Sequence, residues 1–130
     1  MKKIRVWHFA KIEDGKPVMR DGREIIIGKE YKTRKAELCS AGYHGSLEPL
    51  DALRYAPGFY VSIRELWGTG EDGDDKLCRT HCKHVKGIDA RETILLWAAD
   101  VAEHAEKKYG NNDPRPQEAI EAVRNIREVK

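Results

Sequence analysis

Thiol and imidazole side chains, the ligands that zinc favours, crowd one short segment of the chain. The segment holds Cys78, His81, Cys82 and His84, and Cys39 and His44 stand upstream. The spacing contains no Cys-x-x-Cys pair, and on a strand His81 would face away from the other three. We therefore predict half-buried thiols and solvated imidazoles with no metal site. A structural zinc site around Cys78 and Cys82 is kept as an alternative.

A cysteine nucleophile activated by a histidine would use Cys39 and His44. Such a pair needs the thiol and the imidazole within hydrogen-bond reach of each other. Closeness in sequence does not supply that geometry, and the segment offers no evident oxyanion donor. We interpret Cys39 as a small buried apolar residue.

Residues 71–75 (Glu-Asp-Gly-Asp-Asp) form an acidic cluster whose carboxylates could hold a hard cation. The cluster lacks the spaced acids and the closing glutamate of an EF-hand. We interpret it as part of a solvated loop over residues 68–75.

Residues 42–46 (Gly-Tyr-His-Gly-Ser), together with His8 on a nearby strand, are the strongest candidate for a ligand site. The two glycines allow a ligand to approach the backbone closely. The serine and the helix that follows offer N–H groups suited to an anion. The alternative is that the tyrosine and the histidine pack under the helix and satisfy each other. The predicted ligand-binding residues are His8, Tyr43, His44, Ser46 and Arg54.

The composition is that of a folded protein, with 40% hydrophobic and 35% charged residues in a chain of 130. A net charge of +2 gives neither a basic tail nor an acidic one, which argues against a nucleic-acid partner. The sequence has no apolar run of the roughly 18 residues that a membrane span needs. We predict a cytoplasmic protein with three reduced cysteines and no membrane association.

Alternation of apolar and polar residues predicts strands at residues 2–10 and 59–67. Residues 23–27 (Arg-Glu-Ile-Ile-Ile) are predicted as a further strand, bounded by glycines. Residues 76–85 are predicted as a strand, with a helix as the alternative.

Helical features appear in two places. Residues 48–56 are predicted as a short helix with Ser46 as its cap. From residue 90 the apolar spacing becomes helical, with Asp89 as the expected N-cap and Asp113 as the cap of a second helix. The apolar stripe of that second helix comprises Ala119, Ile120, Val123 and Ile126.

These elements predict an α+β fold in a single domain, residues 1–130. Its sheet-rich part, residues 1–88, has a small, mostly antiparallel sheet with the short helix at 48–56. Its C-terminal part, residues 89–130, is an antiparallel helical hairpin packed on that sheet.

Several of these segments resemble a family of phage and prophage proteins that has no established activity. The family pattern is Cys-x-x-Gly-Leu-His-Ala-Ser, then Asp-Ala-Leu-x-Tyr-Ala-Pro-Gly, then Asp-Asp-Lys-Leu. The matching segments here are Cys39 to Ser46, residues 51–58 and residues 74–77, with Tyr43 in place of leucine and Gly45 in place of alanine. The likeness spans roughly residues 4–100.

The C-terminal segments 97–103, 113–116 and 119–124 are similar to helical parts of predicted bacterial immunity proteins, which bind toxins. Together the two resemblances imply a phage or prophage accessory protein in the host cytoplasm. Such a protein would bind a host protein or a small ligand, and would inhibit a host defence or a toxin.

A third resemblance is to ADP-ribosyltransferases, through residues 6–8 (Val-Trp-His), residues 42–44 with 52–55, and a late acid at Asp75. The late acid of those enzymes is usually a glutamate. The resemblance implies NAD as cofactor, with His8 on the nicotinamide ribose and Tyr43 stacked on nicotinamide. Asp75 would polarise the ribose or the acceptor. This NAD-dependent enzyme is the alternative to a binding protein that uses no cofactor.

Overall fold

The structure is a computed structural model that describes residues 2–125. The chain divides into two compact units, residues 1–89 and residues 90–130. The elements in chain order are β1 (Ile4–Glu13), β2 (Lys16–Val18), β3 (Glu30–Lys32), β4 (Tyr43–Gly45), α1 (Pro49–Leu53), β5 (Tyr60–Asp72), β6 (Leu77–Asp89), α2 (Arg91–Tyr109) and α3 (Arg115–Arg124). The predicted α+β class, with a mostly antiparallel sheet and a C-terminal helix pair, is confirmed.

The first unit is built on a six-stranded sheet whose main path runs β2-β1-β5-β6-β3, while β4 also pairs with β6. Every strand pair is antiparallel. The predicted strands at residues 2–10, 59–67 and 76–85 are confirmed by β1, β5 and β6. The sheet places β1 and β6 on either side of β5, so inward side chains of these three strands meet on one face.

The β5–β6 hairpin contains a register shift between Ile63 and Arg64. Ile63 lies opposite Lys86 and Arg64 lies opposite His84, which leaves Val85 without a partner on β5. This extra residue keeps His84 on the same face as Arg64, where both side chains are buried. A β-bulge therefore sets the direction of two polar side chains inside the unit.

The prediction of a strand at residues 23–27 was wrong. Within that segment only Glu24 forms a bridge, to Val18, although the Ile25 amide also donates to the Pro17 carbonyl at 2.8 Å. Ile25 is buried, but Ile26 and Ile27 are 44% and 48% exposed. A run of isoleucines has strong strand propensity, yet of these three only Ile25 is buried in the core.

The predicted loop at residues 68–75 is also corrected. Strand β5 continues to Asp72 and β6 begins at Leu77, so the turn is confined to four residues. It is closed by a hydrogen bond from the Gly73 amide to the Lys76 carbonyl at 2.8 Å. The acidic side chains are tolerated because this end of the hairpin is exposed to solvent.

Helix α1 has five residues and is shorter than the predicted helix at 48–56. Its N-cap is Glu48, and no side chain caps it, so the expected cap at Ser46 is wrong. Ser46 is instead paired through its backbone to Trp7 of β1. This pairing, rather than a helix cap, fixes the segment that follows β4.

The second unit is a pair of helices. The N-cap of α2 is Ala90 rather than the predicted Asp89, and the N-cap of α3 is Pro114. Asp113 does accept the Arg115 amide at 3.0 Å, close to the predicted role. Arg124, the last residue of α3, pairs with Asp100 and Glu103 of α2, so the second helix folds back along the first.

Of the apolar stripe predicted for α3, Ile120 is buried, and Ile126 lies outside the described residues. None of the helices in residues 2–125 combines the length and the apolar character that crossing a membrane requires.

Candidate functional site

A cavity of about 320 Å³ lies in the first unit, between β1, β4 and α1. Four of the five predicted ligand-binding residues line it: His8, Tyr43, His44 and Ser46. The fifth, Arg54, is not among the lining residues. Its side chain is exposed, and its guanidinium lies 3.8 Å from Asp75.

Backbone pairing between Trp7 and Ser46 brings the predicted residues together. The Trp7 amide donates to the Ser46 carbonyl at 2.8 Å, and the Ser46 amide donates to the Trp7 carbonyl at 3.0 Å. The pairing joins the end of β4 to β1, so His8 and Tyr43 border one cavity. It also means that the Ser46 amide is not free, contrary to the expectation that it would receive an anion.

Both glycines of residues 42–46 line the cavity, and both are also packed closely against other parts of the protein. A Cβ atom on Gly45 would lie 2.6 Å from the Cβ of Val6, inside the core. A Cβ atom on Gly42 would lie 2.6 Å from the Cβ of Ala36, and the φ of Gly42 is +88°. Larger residues would therefore push β4 away from its neighbours.

Tyr43 and His44 each have their own hydrogen-bond partners and do not satisfy each other. The Tyr43 hydroxyl accepts from Arg23 Nη2 at 3.0 Å. His44 Nε2 accepts the Cys39 amide at 3.0 Å, which leaves Nδ1 as the protonated nitrogen, 3.3 Å from the Gly42 carbonyl. Burial lowers the pKa of His44, so its ring is neutral near pH 7.

Arg64 is the most unusual residue of the cavity wall, because its side chain is charged and only 2% exposed. Its Nε donates to the His44 carbonyl at 3.0 Å, and Nη2 donates to the same oxygen. Nη1 lies 3.5 Å from Nε2 of His84. Burial lowers the pKa of Arg64, but an arginine side chain remains protonated in proteins, so a buried positive charge borders the cavity.

Two imidazoles lie next to this guanidinium. The ring centroids of His8 and His84 are 6.4 Å apart, and the Nδ1 atom of each is buried without a hydrogen-bond partner among residues 2–125. Burial, followed by the charge of Arg64, lowers the pKa of His84 to about 3. The same two causes, in the same order, hold the pKa of His8 well below its usual value. Both rings are therefore neutral, and the positive charge stays on Arg64.

The mouth of the cavity carries an exposed thiol. Cys39 is exposed, which corrects its prediction as a buried residue, and its Sγ accepts from Lys76 Nζ at 2.6 Å. Lys76 also lies over the Tyr55 ring, 4.1 Å from its centroid. His44 contacts the amide of Cys39, so these contacts do not make a thiol–imidazole pair.

Asp75 is the residue that the ADP-ribosyltransferase resemblance assigns as the catalytic acid. It is hydrogen-bonded to Tyr55 and does not lie with His8 and Tyr43. Both of its carboxylate oxygens lie 2.8 Å from the Tyr55 hydroxyl, which donates to them. Asp75 is not among the residues that line the cavity. Two of the three residues assigned to catalysis thus share the cavity, and the third does not.

The predicted face of β6 is confirmed. Cys78, Cys82 and His84 are all buried, while His81 faces away and stacks on Trp67 with ring centroids 5.5 Å apart. The expectation of solvated imidazoles was wrong for His84, which is fully buried. Within residues 2–125, no group of three or more histidine, cysteine or acidic side chains is placed to hold a metal ion.

Sequence reasoning missed Arg64, Arg23 and Lys76 as residues of the site. For Arg64 a signal was present, because it shares the inward positions of an alternating strand with Tyr60, Ser62 and Leu66. For Arg23 and Lys76 the sequence carries no comparable signal, since both are surface residues whose side chains reach the cavity from turns. No protein-family model, curated protein or solved structure matches the chain.

Proposed function

We propose that this protein acts by binding a small ligand in the cavity bordered by His8, Tyr43 and Arg64. The observation that carries the proposal is the buried polar surface of this wall. Arg64 is only 2% exposed, and the buried Nδ1 atom of His8 has no hydrogen-bond partner in the part of the chain that the structure describes. Buried polar groups in proteins are nearly always satisfied, so an unpaired one at a cavity favours a bound partner there.

The size of the cavity favours a small molecule over a segment of another protein. Its volume of about 320 Å³ is at the lower end of the range for ligand pockets. Rigid surroundings support the same role, because the loop carrying Cys39 is held by amide hydrogen bonds to Glu71, His44 and Ala41. A preformed pocket binds a small ligand without a large ordering cost.

The biological setting of the proposal rests on the family resemblances. A phage or prophage accessory protein in the host cytoplasm would use the bound ligand, or a host protein, to inhibit a defence system or a toxin. A pull-down from host lysate with the wild-type protein tests the protein partner. Loss of a captured protein in a cavity-filling variant would link that partner to the cavity.

Ligand-observed NMR with a mixed set of anionic, neutral and cationic fragments tests the binding role. Ala41 lines the cavity, so Ala41→Trp fills it, whereas Ala98→Trp adds the same ring to an exposed position of α2. Fragments should bind the wild type and Ala98→Trp but not Ala41→Trp. Circular dichroism checks that both variants fold. Fragments that bind equally well to Ala41→Trp, or no binding by any fragment, would reject the proposal.

A second candidate is an ADP-ribosyltransferase-like enzyme that uses NAD, and it is favoured by His8 and Tyr43 bordering one cavity. The position of Asp75, held by Tyr55 outside the lining, favours the binding role instead. Incubation with NAD decides between them. An enzyme would consume NAD, and His8→Ala would abolish the reaction while His104→Ala would not. No consumption by the folded wild type rejects this candidate.

A further inference from the structure

Arg64 has a buried charge that the described part of the protein does not neutralise. No acidic side chain in residues 2–125 pairs with it, and the groups that favour its charged form are Cys82 and Tyr43. Its hydrogen bonds go to the neutral His44 carbonyl, to the ring of His84 and to the side chain of Cys82. Proteins bury a charge at a large cost unless an opposite charge accompanies it. A ligand that carried a negative charge would supply that partner.

The rest of the cavity lining has the same sign of charge. Among the described residues, four cationic side chains and one acidic side chain border the cavity: Arg20, Arg23, Arg64 and Lys76 against Asp21. Asp21 is already engaged, because its Oδ2 lies 2.7 Å from Nε of Arg23. Walls of one sign around a concave site concentrate ligands of the opposite sign.

The remaining lining suits an apolar or aromatic body attached to the anionic group. Phe9, Ala52 and Pro57 contribute apolar surface, and Tyr43 and Tyr55 contribute rings with polar tips. The imidazole of His8 also lines the cavity, and its buried Nδ1 has no hydrogen-bond partner among residues 2–125.

From this arrangement we infer that the cavity binds a small organic anion, whose carboxylate or phosphate group pairs with Arg64 while its apolar body contacts the rings of Tyr43 and Tyr55. The inference rests on the proposed function and deepens it by naming the chemical class of the ligand. The His44 carbonyl occupies the Nε edge of Arg64, so the oxyanion would bind at Nη1 and Nη2, each of which carries a second hydrogen. Two parallel N–H groups match both oxyanions, since each presents two oxygens at the right spacing.

Four probes that share one aromatic ring and differ in charge test the inference: phenyl phosphate, benzoate, benzamide and benzylamine. Isothermal titration calorimetry should show that phenyl phosphate, benzoate or both bind with an affinity at least about tenfold higher than that of benzamide and benzylamine. Binding of the anions should weaken as salt is added. The comparison of phenyl phosphate with benzoate shows which oxyanion the site prefers.

Variants locate the interaction. Arg64→Lys keeps the charge but removes the fork, so it should weaken the preferred anion by about tenfold. Lys76→Gln and Arg23→Gln each remove one charge at more exposed positions and should weaken it less. Arg5→Gln removes one charge from an exposed residue that does not line the cavity, and it should leave affinity unchanged. If Arg64→Lys does not fold, the affinities of Lys76→Gln and Arg23→Gln are compared with that of Arg5→Gln instead.

Three results would overturn the inference. If benzamide or benzylamine binds as tightly as the anions, the cavity binds ligands without selecting anions, and the proposed function survives. If none of the four probes binds at millimolar concentration, the anion assignment fails, while the mixed fragment set and Ala41→Trp judge the binding role independently. Equal loss of affinity in Arg5→Gln and Lys76→Gln would also contradict it, because the effect would then be one of net charge.

Discussion

Arg64 of β5 and His84 of β6 lie opposite each other beside a register shift, with Nη1 of the guanidinium 3.5 Å from Nε2 of the imidazole. Both side chains are buried, and burial together with the arginine charge lowers the pKa of the histidine to about 3. The histidine therefore stays neutral and can accept a hydrogen bond from the guanidinium. This pair concentrates one positive charge beside the cavity, and no acidic side chain in the described range 2–125 pairs with it.

Acid should destabilise this protein through its buried histidines. The pKa of His84 is about 3 in the folded state and near 6.5 in the unfolded state, so the unfolded chain binds more protons between these values. Stability is therefore highest above pH 6.5 and falls as the pH drops toward about 3. The expected slope is up to about 1.4 kcal/mol per pH unit for each such histidine.

Urea unfolding at a series of pH values measures that slope. His84→Gln should reduce the slope by the contribution of one titrating histidine, up to about 1.4 kcal/mol per pH unit, whatever its effect on absolute stability. His104→Gln, at an exposed position of α2, should leave the slope unchanged. An unaltered slope in His84→Gln would show that this histidine does not carry the pH dependence.

Gly45→Ala should destabilise the fold by about 1–3 kcal/mol, since the added methyl group would overlap Val6. Removing the obstacle should restore part of the loss. In the double variant Gly45→Ala/Val6→Ala, the total destabilisation should be smaller than the sum of the two single effects. Chemical denaturation measures all three variants, and additive effects would mean that β4 and β1 are not in the close contact described.

Cys39 should react faster with the anionic reagent iodoacetate, relative to neutral iodoacetamide, than a cysteine in the unfolded chain does. Lys76 lies beside the thiol and the cavity lining is cationic, so an anion is attracted to this thiol. Cys78 and Cys82 are fully buried and should remain unmodified in the folded protein, which makes Cys39 the labelled site.

Mass spectrometry of partly labelled protein gives the ratio of the two rates. The preference for iodoacetate should fall in high salt and in Lys76→Gln. Lys16→Gln, which removes a charge away from the cavity lining, should not alter it. An equal preference in folded and unfolded protein would argue against a positive field at the mouth.

Much of the fold follows from local patterns in the sequence. Alternation at residues 2–10 and 59–67 predicts β1 and β5, and helical spacing after residue 90 predicts the C-terminal helix pair. The isoleucines at 25–27 show the limit of that approach, because strand propensity does not say which residues the sheet accepts. The same limit applies to the end of β5. Composition predicts a loop at residues 68–75, but the strand continues through the acidic residues Glu71 and Asp72.

The candidate site was predicted in part. His8, Tyr43, His44 and Ser46 were identified by residue type and by the glycines around them, and all four line one cavity. Their meeting depends on the pairing of Trp7 with Ser46, which joins distant parts of the chain and has no local sequence pattern. Arg64 was missed because a charged residue in a strand normally faces solvent. Here a β-bulge and two hydrogen bonds to the His44 carbonyl keep its side chain buried.

The most direct test of the central claim is a titration of isotopically labelled protein with phenyl phosphate, followed by NMR. The side-chain Nε–H resonance of Arg64 and the backbone amides of His8, Tyr43 and His44 should shift together and saturate with one dissociation constant. Amides of the β2 residues Lys16 and Val18, which do not line the cavity, should not move. Shifts confined to exposed lysines and arginines, with the Arg64 resonance unchanged at saturation, would contradict a ligand site in this cavity.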